Sequence, residues 1–180
     1  MVSAVFLDRD GVINQTEIVN GKPIAPKTIS DLKILPGVIE AIKNLKSASY
    51  EIVVVTNQPD IANGLISAHT VHEINRVISE ITSIEHFFVC PHNNRNQCDC
   101  RKPKPGLLKQ ASRDLGIDLS KSYLVGDRWK DIEAGQAAGC KNFFIDYSYV
   151  EEKPEVPFMR VKSLYEAAAL ILKESWYGDS

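Results

Sequence analysis

Apolar residues fall in short, β-branched runs separated by stretches with helical spacing. Ala4-Val-Phe-Leu7, Ile52-Val-Val-Val55, Phe87-Phe-Val89, Tyr123-Leu-Val125 and the segment 142–145 read as strands. Between them, Val38, Ile39, Ala41, Ile42 and Leu45 form an apolar stripe behind Pro36-Gly37. Val71, Ile74, Ile78 and Ile81 form another behind Ser67, a candidate N-cap. Segments 107–115, 132–138 and 164–172 continue the helical pattern. Strand and helix alternate along the chain, which predicts an α/β fold: a three-layer, Rossmann-like parallel sheet with helices on both faces. Segments 14–35 and 147–160 break the alternation and are expected to be irregular. With no internal repeat or linker, 1–180 is expected to be a single domain.

Charge narrows the function classes. A formal net charge of -2 lacks the basic excess of a nucleic-acid binder, so affinity for phosphate must be local. No apolar run approaches the length of a membrane span. The opening apolar run is cut at once by Asp8, Arg9 and Asp10, unlike a secretory signal. A cytoplasmic monomer acting on a small phosphorylated metabolite is the expectation. In that compartment four cysteines are not a disulfide framework, and three of them crowd between 90 and 100.

Sheets of this kind bind ligands beyond the carboxyl ends of their strands. Asp8, Asp10, Thr56, Asn57, Cys90, His92 and Asp127 stand there. Asp8 and Asp127, on strands expected to be neighbours, would repel each other unless a cation lay between them. Hard oxygen ligands select magnesium. Asp8, ionised beside it, suits a nucleophile that forms an aspartyl-phosphate. Asp10 can offer its carbonyl to the metal and its side chain to the leaving oxygen, as acid and then base. Alone, Asp-x-Asp is equally a turn with solvated acids.

Thr56 offers a hydroxyl to a phosphoryl oxygen, and Asn57 and Gln58 are expected at the substrate. Lys102 is the candidate charge stabiliser, while Arg101 suits a bidentate substrate contact. Arg128 is a further substrate candidate. Asp131 is expected to orient Lys102 or a metal-bound water, or to act only on the helix dipole.

Cys90-Pro-His92 and Cys98-Asp-Cys100 bring three thiols and an imidazole within eleven residues. Cys3His is a closed, structural zinc set. Because Cys100 immediately precedes Arg101 and Lys102, zinc would order the segment that carries both cations. Cys140 reads as a core residue, and His69, His72 and His86 show no ligand spacing.

The set Asp8-x-Asp10-Gly-Val-Ile-Asn14, Thr56-Asn-Gln58, Arg101-Lys102-Pro-Lys and Gly126-Asp127-x-x-x-Asp131 resembles the haloacid dehalogenase superfamily. Within it, the chain is similar to the histidinol-phosphate and D-glycero-D-manno-heptose 1,7-bisphosphate phosphatases. The resemblance implies the same core, magnesium, a zinc loop and the roles given above, with no large cap domain and closure left to loops such as 14–35. Pro36-Gly-Val38 looks like the heptose enzymes. The five residues between His92 and Cys98 look like the histidinol-phosphate branch, and Asn63 stands where the heptose branch usually has Arg. The heptose bisphosphate, losing its 7-phosphate, is the favoured substrate and histidinol phosphate the alternative. A phospho-accepting signalling domain, also built around Asp and magnesium, would need neither Asp10 nor the Arg101-Lys102 arm.

Overall fold

The structure, a computed structural model, describes residues 1–174, so the last six residues of the expected 1–180 domain lie outside it. Six parallel strands form one sheet: β1 (Ala4–Leu7), β4 (Glu51–Asn57), β5 (His86–Cys90), β6 (Tyr123–Gly126), β7 (Lys141–Ile145) and β8 (Met159–Val161). Their order is β5-β4-β1-β6-β7-β8, so the chain builds outward from β1 first on one side and then on the other. This reversal opens a crevice at the carboxyl end of β1.

Alternation along each strand feeds two cores. Val5, Leu7, Ile52, Val54, Val125 and Phe143 face α1 (Val38–Ser47), α2 (Ala68–Thr82) and α5 (Leu164–Leu172). Phe6, Val53, Val55, Leu124 and Phe144 face α3 (Gly106–Leu115) and α4 (Trp129–Ala138). With both faces covered, the central strands carry unbroken apolar runs, Ala4–Leu7 and segments 52–55, 123–125 and 143–145, as buried parallel strands should. Ser67 caps α2 by accepting the Thr70 amide at 3.0 Å.

Three expectations need correction. Ile39 and Ile81, assigned to the apolar stripes, are exposed, because each sits on the rim of its helix where the packed face has already turned away. Segment 14–35 is not irregular throughout: β2 (Glu17–Val19) and β3 (Lys22–Ile24) pair antiparallel across Asn20-Gly21. Segment 147–160 supplies the start of β8, a short strand added beside β7 at the sheet edge. No helix among the described residues is long and apolar enough to cross a membrane.

Candidate active site

Three adjacent strands deliver the polar groups. Asp8 follows β1, Thr56 and Asn57 close β4, and Asp127 follows β6. Register places Leu7 opposite both Val54 and Val125, so the residues beyond these positions converge.

Gly11 turns the chain after Asp10 with φ +89°, and its amide reaches the Asn14 carbonyl at 2.8 Å. A Cβ there would lie 2.0 Å from Asp127 Oδ2, so only glycine admits this approach. Gly126 does the same for Asp131, whose Cβ would be 2.2 Å from an added methyl carbon.

Lys102 is the centre of charge. It is 2% exposed, and its ammonium contacts Asp8 Oδ1 at 2.9 Å, Asp131 Oδ1 at 2.7 Å and the Val55 carbonyl at 2.7 Å. The Asn57 amide holds the Lys102 backbone from both sides, donating to its carbonyl at 3.0 Å and accepting its amide at 3.1 Å. Asp131 Oδ2 accepts the amides of Asp127 and Arg128, fixing the start of α4.

Asp10 accepts from four N–H groups: Arg9 Nε and Nη2, Asn14 Nδ2 at 2.9 Å and Gln58 Nε2 at 2.8 Å. These four donors fix the orientation of the Asp10 carboxyl toward the cavity. Gln58 also donates to Thr56 Oγ1 at 2.9 Å, which leaves the threonine proton free for another acceptor. Arg9, not anticipated from the sequence, is fully buried and spans from Asp10 to Asn75 of α2 at 2.9 Å. Its position between two aspartates was the only available sign.

The carboxylates outnumber the cation they share. Burial raises the Asp8 carboxyl to about 6, with Asp131 and Asp10 adding to the rise and Lys102 opposing it. Burial, then Asp8 and Asp131, raise Asp127 well above the usual carboxylate range. Carboxylate oxygens of Asp8, Asp127 and Asp131 lie within 4.8 Å of one another. Asp127 Oδ1 is buried with no hydrogen-bond partner among the described residues. An orphaned carboxylate oxygen in an anionic cluster fits a hard divalent cation.

A cavity of about 320 Å³ opens over these groups. Ile24, Ala25 and Lys27, at and just beyond the end of the β2–β3 hairpin, form one wall, and Arg101, Arg128 and Lys130 stand on others. Arg128 is engaged by both carboxylate oxygens of Glu151. Lys27, Arg101 and Lys130 form no ion pair among the described residues, and Asp60 joins Asp8, Asp10 and Asp131 as an acid lining the cavity. Arg101 is oriented by hydrogen bonds to Asn94 Oδ1 at 2.9 Å and the His92 carbonyl at 3.1 Å.

Behind Arg101 the thiol cluster assembles. Cys90, His92, Cys98 and Cys100 place their ligand atoms within 4.8 Å of one another. Cys90 Sγ is 3.7 Å from both Cys98 Sγ and His92 Nδ1, and Cys100 Sγ is 3.3 Å from His92 Nδ1. Cys100 Sγ is also 3.0 Å from Cys90 Sγ. Tetrahedral zinc with bonds of about 2.3 Å to sulfur sets its ligand atoms nearly 4 Å apart, so the four are gathered as a zinc set requires, with the Cys90–Cys100 pair drawn closer than a bound ion would hold it. Cys140 lies apart in the core.

Comparison with known proteins agrees with this geometry. The model of the haloacid dehalogenase-like hydrolases matches residues 14–139. The D-glycero-beta-D-manno-heptose-1,7-bisphosphate 7-phosphatase of Pasteurella multocida (strain Pm70) is 37% identical over 153 residues, spanning 79% of this chain and 80% of the relative. The protein of that name from Pseudomonas aeruginosa is 37% identical over 144 residues, 77% of this chain and 78% of its own. Among solved structures, the D,D-heptose 1,7-bisphosphate phosphatase of B. bronchiseptica, complexed with magnesium and phosphate, superimposes with a TM-score of 0.82. It is 28% identical, over 96% of this chain and 99% of that one.

Proposed function

The chain belongs to the haloacid dehalogenase-like hydrolases and, among them, to the family of the heptose bisphosphate phosphatases, and from that premise we propose that it removes the 7-phosphate of D-glycero-D-manno-heptose 1,7-bisphosphate through an aspartyl-phosphate on Asp8. The observation that carries the chemistry is the Asp8–Lys102–Asp131 array at the floor of a cavity of sugar-phosphate size.

Asp8 Oδ1 is held by the Arg9 amide at 2.8 Å and by Lys102. Oδ2 is therefore the oxygen left to attack phosphorus. Asp10 protonates the departing sugar oxygen, and then, as carboxylate, takes a proton from the water that attacks the phosphoryl-aspartate. Its four N–H donors hold the carboxyl in one place through both halves. The free Thr56 proton and the Lys102 ammonium stabilise the equatorial oxygens. Magnesium would be held by the Asp8 and Asp127 carboxylates and the Asp10 carbonyl, and when bound it supplies charge neutralisation at the phosphoryl group. Zinc would be held by Cys90, His92, Cys98 and Cys100, fixing the segment that presents Arg101 and Lys102. Four free cysteines suit a reducing compartment, so we read the enzyme as cytoplasmic.

Asn57 and Gln58 enter this reading as positioning groups, since their amides are spent on Lys102, Asp10 and Thr56. Arg101 remains a substrate contact, whereas Arg128 shares its charge with Glu151. The unpaired rim cations favour a substrate with a second anionic group, as a bisphosphate has. They disfavour histidinol phosphate, whose far end carries an amine. A phosphate-release assay with magnesium tests this: turnover of the heptose 1,7-bisphosphates should exceed that of histidinol phosphate. Equal or reversed preference defeats the substrate assignment. A single labelling event without turnover would indicate a phospho-accepting domain instead.

A further inference from the structure

Two phenols reach the carboxylate centre on the segment that follows β7. Tyr149 is buried, and its hydroxyl donates to Asp127 Oδ2 at 2.8 Å. Tyr147 lies against it, ring centroids 5.6 Å apart, and donates to the Gly11 carbonyl at 3.0 Å. The next residue, Val150, donates its amide to the Gly21 carbonyl at the hairpin turn at 2.9 Å. Glu151 then takes the guanidinium of Arg128. One short segment thus touches a metal carboxylate, the turn after Asp10, the hairpin and a rim arginine.

From these contacts we infer that Tyr149 is a positioning residue for the cation ligand Asp127, and that through Val150 it couples the hairpin to the cation site. A carboxylate has two oxygens that compete for one metal, and rotation exchanges them. Here the phenol satisfies Oδ2, and Oδ1 is the oxygen left buried without a partner. The ligand atom is thereby chosen before the cation arrives, so less order is lost on binding. A cation on Oδ1 in turn holds Asp127, and Asp127 holds Tyr149 and with it the Val150 amide bond to the hairpin turn. The carboxylate–phenol bond is set by the fold alone; only the identity of the ligands rests on the proposed function.

The test uses manganese as a spectroscopic probe of the cation site. Tyr149→Phe keeps the ring and removes one oxygen. Titration followed by electron paramagnetic resonance should show manganese bound about 10-fold more weakly or worse, as for other outer-sphere partners of metal ligands. Tyr147→Phe, whose partner is a carbonyl and not a ligand, should keep the wild-type affinity. No loss in Tyr149→Phe, or equal loss in both variants, overturns the positioning role. On the unmodified chain, magnesium should slow amide exchange at Val150 and across β2–β3; unchanged exchange overturns the coupling. These readouts are independent of substrate. If the proposed function fails, the wild-type chain will show no heptose bisphosphate turnover while the manganese titrations stand.

Discussion

Lys102 gives its ammonium protons to Asp8, Asp131 and the Val55 carbonyl, and it is the nearest cation to a cluster of three buried carboxylates. Desolvation of so buried an ammonium disfavours its charge, but Asp131 and Asp8 outweigh this and hold its pKa above the ordinary lysine value. Removing one member of a buried charge pair strands the others, which is worse than never having had the pair. Lys102→Met should therefore lower the unfolding free energy by about 3 kcal/mol or more, read from the urea midpoint, and abolish turnover as well. Asp8→Asn makes the contrasting case. It removes the proposed nucleophile and also relieves repulsion, so turnover should vanish while the urea midpoint holds or rises. A fall in midpoint matching that of Lys102→Met would mean that Asp8 stabilises the fold, contrary to the raised pKa of its carboxyl. Gly11→Ala tests the geometry from another side. A methyl carbon 2.0 Å from Asp127 Oδ2, at φ +89°, forces the ligand to move, so cation affinity and stability should fall together.

At the scale of elements, the thiol cluster is the join between the edge strand β5 and Lys102. Segment 90–102 has one short helical turn, Asn94–Asn96, and the cluster residues are the anchors that return the chain to Asn57. Zinc removal should free the backbone around Arg95 and Arg101 for cleavage by trypsin and reduce kcat, while the far-UV signature of the fold is kept; Cys98→Ser should do the same with zinc content reduced. Resistance to cleavage after verified zinc loss would show that the segment orders itself without metal. The cluster was readable in the sequence because its ligands are close in the chain and chemically distinctive. So were five of the sheet's six strands; the four inner ones, β4, β1, β6 and β7, have apolar stretches buried on both faces and therefore show no alternation. What escaped was whatever depends on distant partners. Strands β2, β3 and β8 are three residues each, too short to show a period, and β8 is fixed by β7 and not by its own composition. Arg9 reads as a surface charge until α2 brings Asn75 to it. Tyr149 carries no local mark of its bond to a residue 22 positions earlier.

At the scale of the whole molecule, the reversal of strand order at β1 gathers Asp8, Asp127 and Asp131 into one crevice, and without a cation the fold bears their repulsion. Any cation that binds there binds the folded chain and not the unfolded one, so it stabilises by mass action, about 2.7 kcal/mol at one hundred times its Kd. The pH dependence gives this a sign. Without a cation, burial holds the folded Asp8 carboxyl up at about 6, above the ordinary aspartate value of 3.8. The folded state therefore holds the extra proton, and the stability it confers is present at low pH and is lost as pH rises through about 6. Asp127, also raised, acts in the same direction. A divalent cation competes with those protons and takes over their role once they leave. Thermal melts in chelator and in magnesium, compared near pH 5 and near pH 7, should show the larger magnesium increment at the higher pH. An equal increment at both, or a larger one at the acid end, would mean that the cation binds somewhere other than this carboxylate crevice.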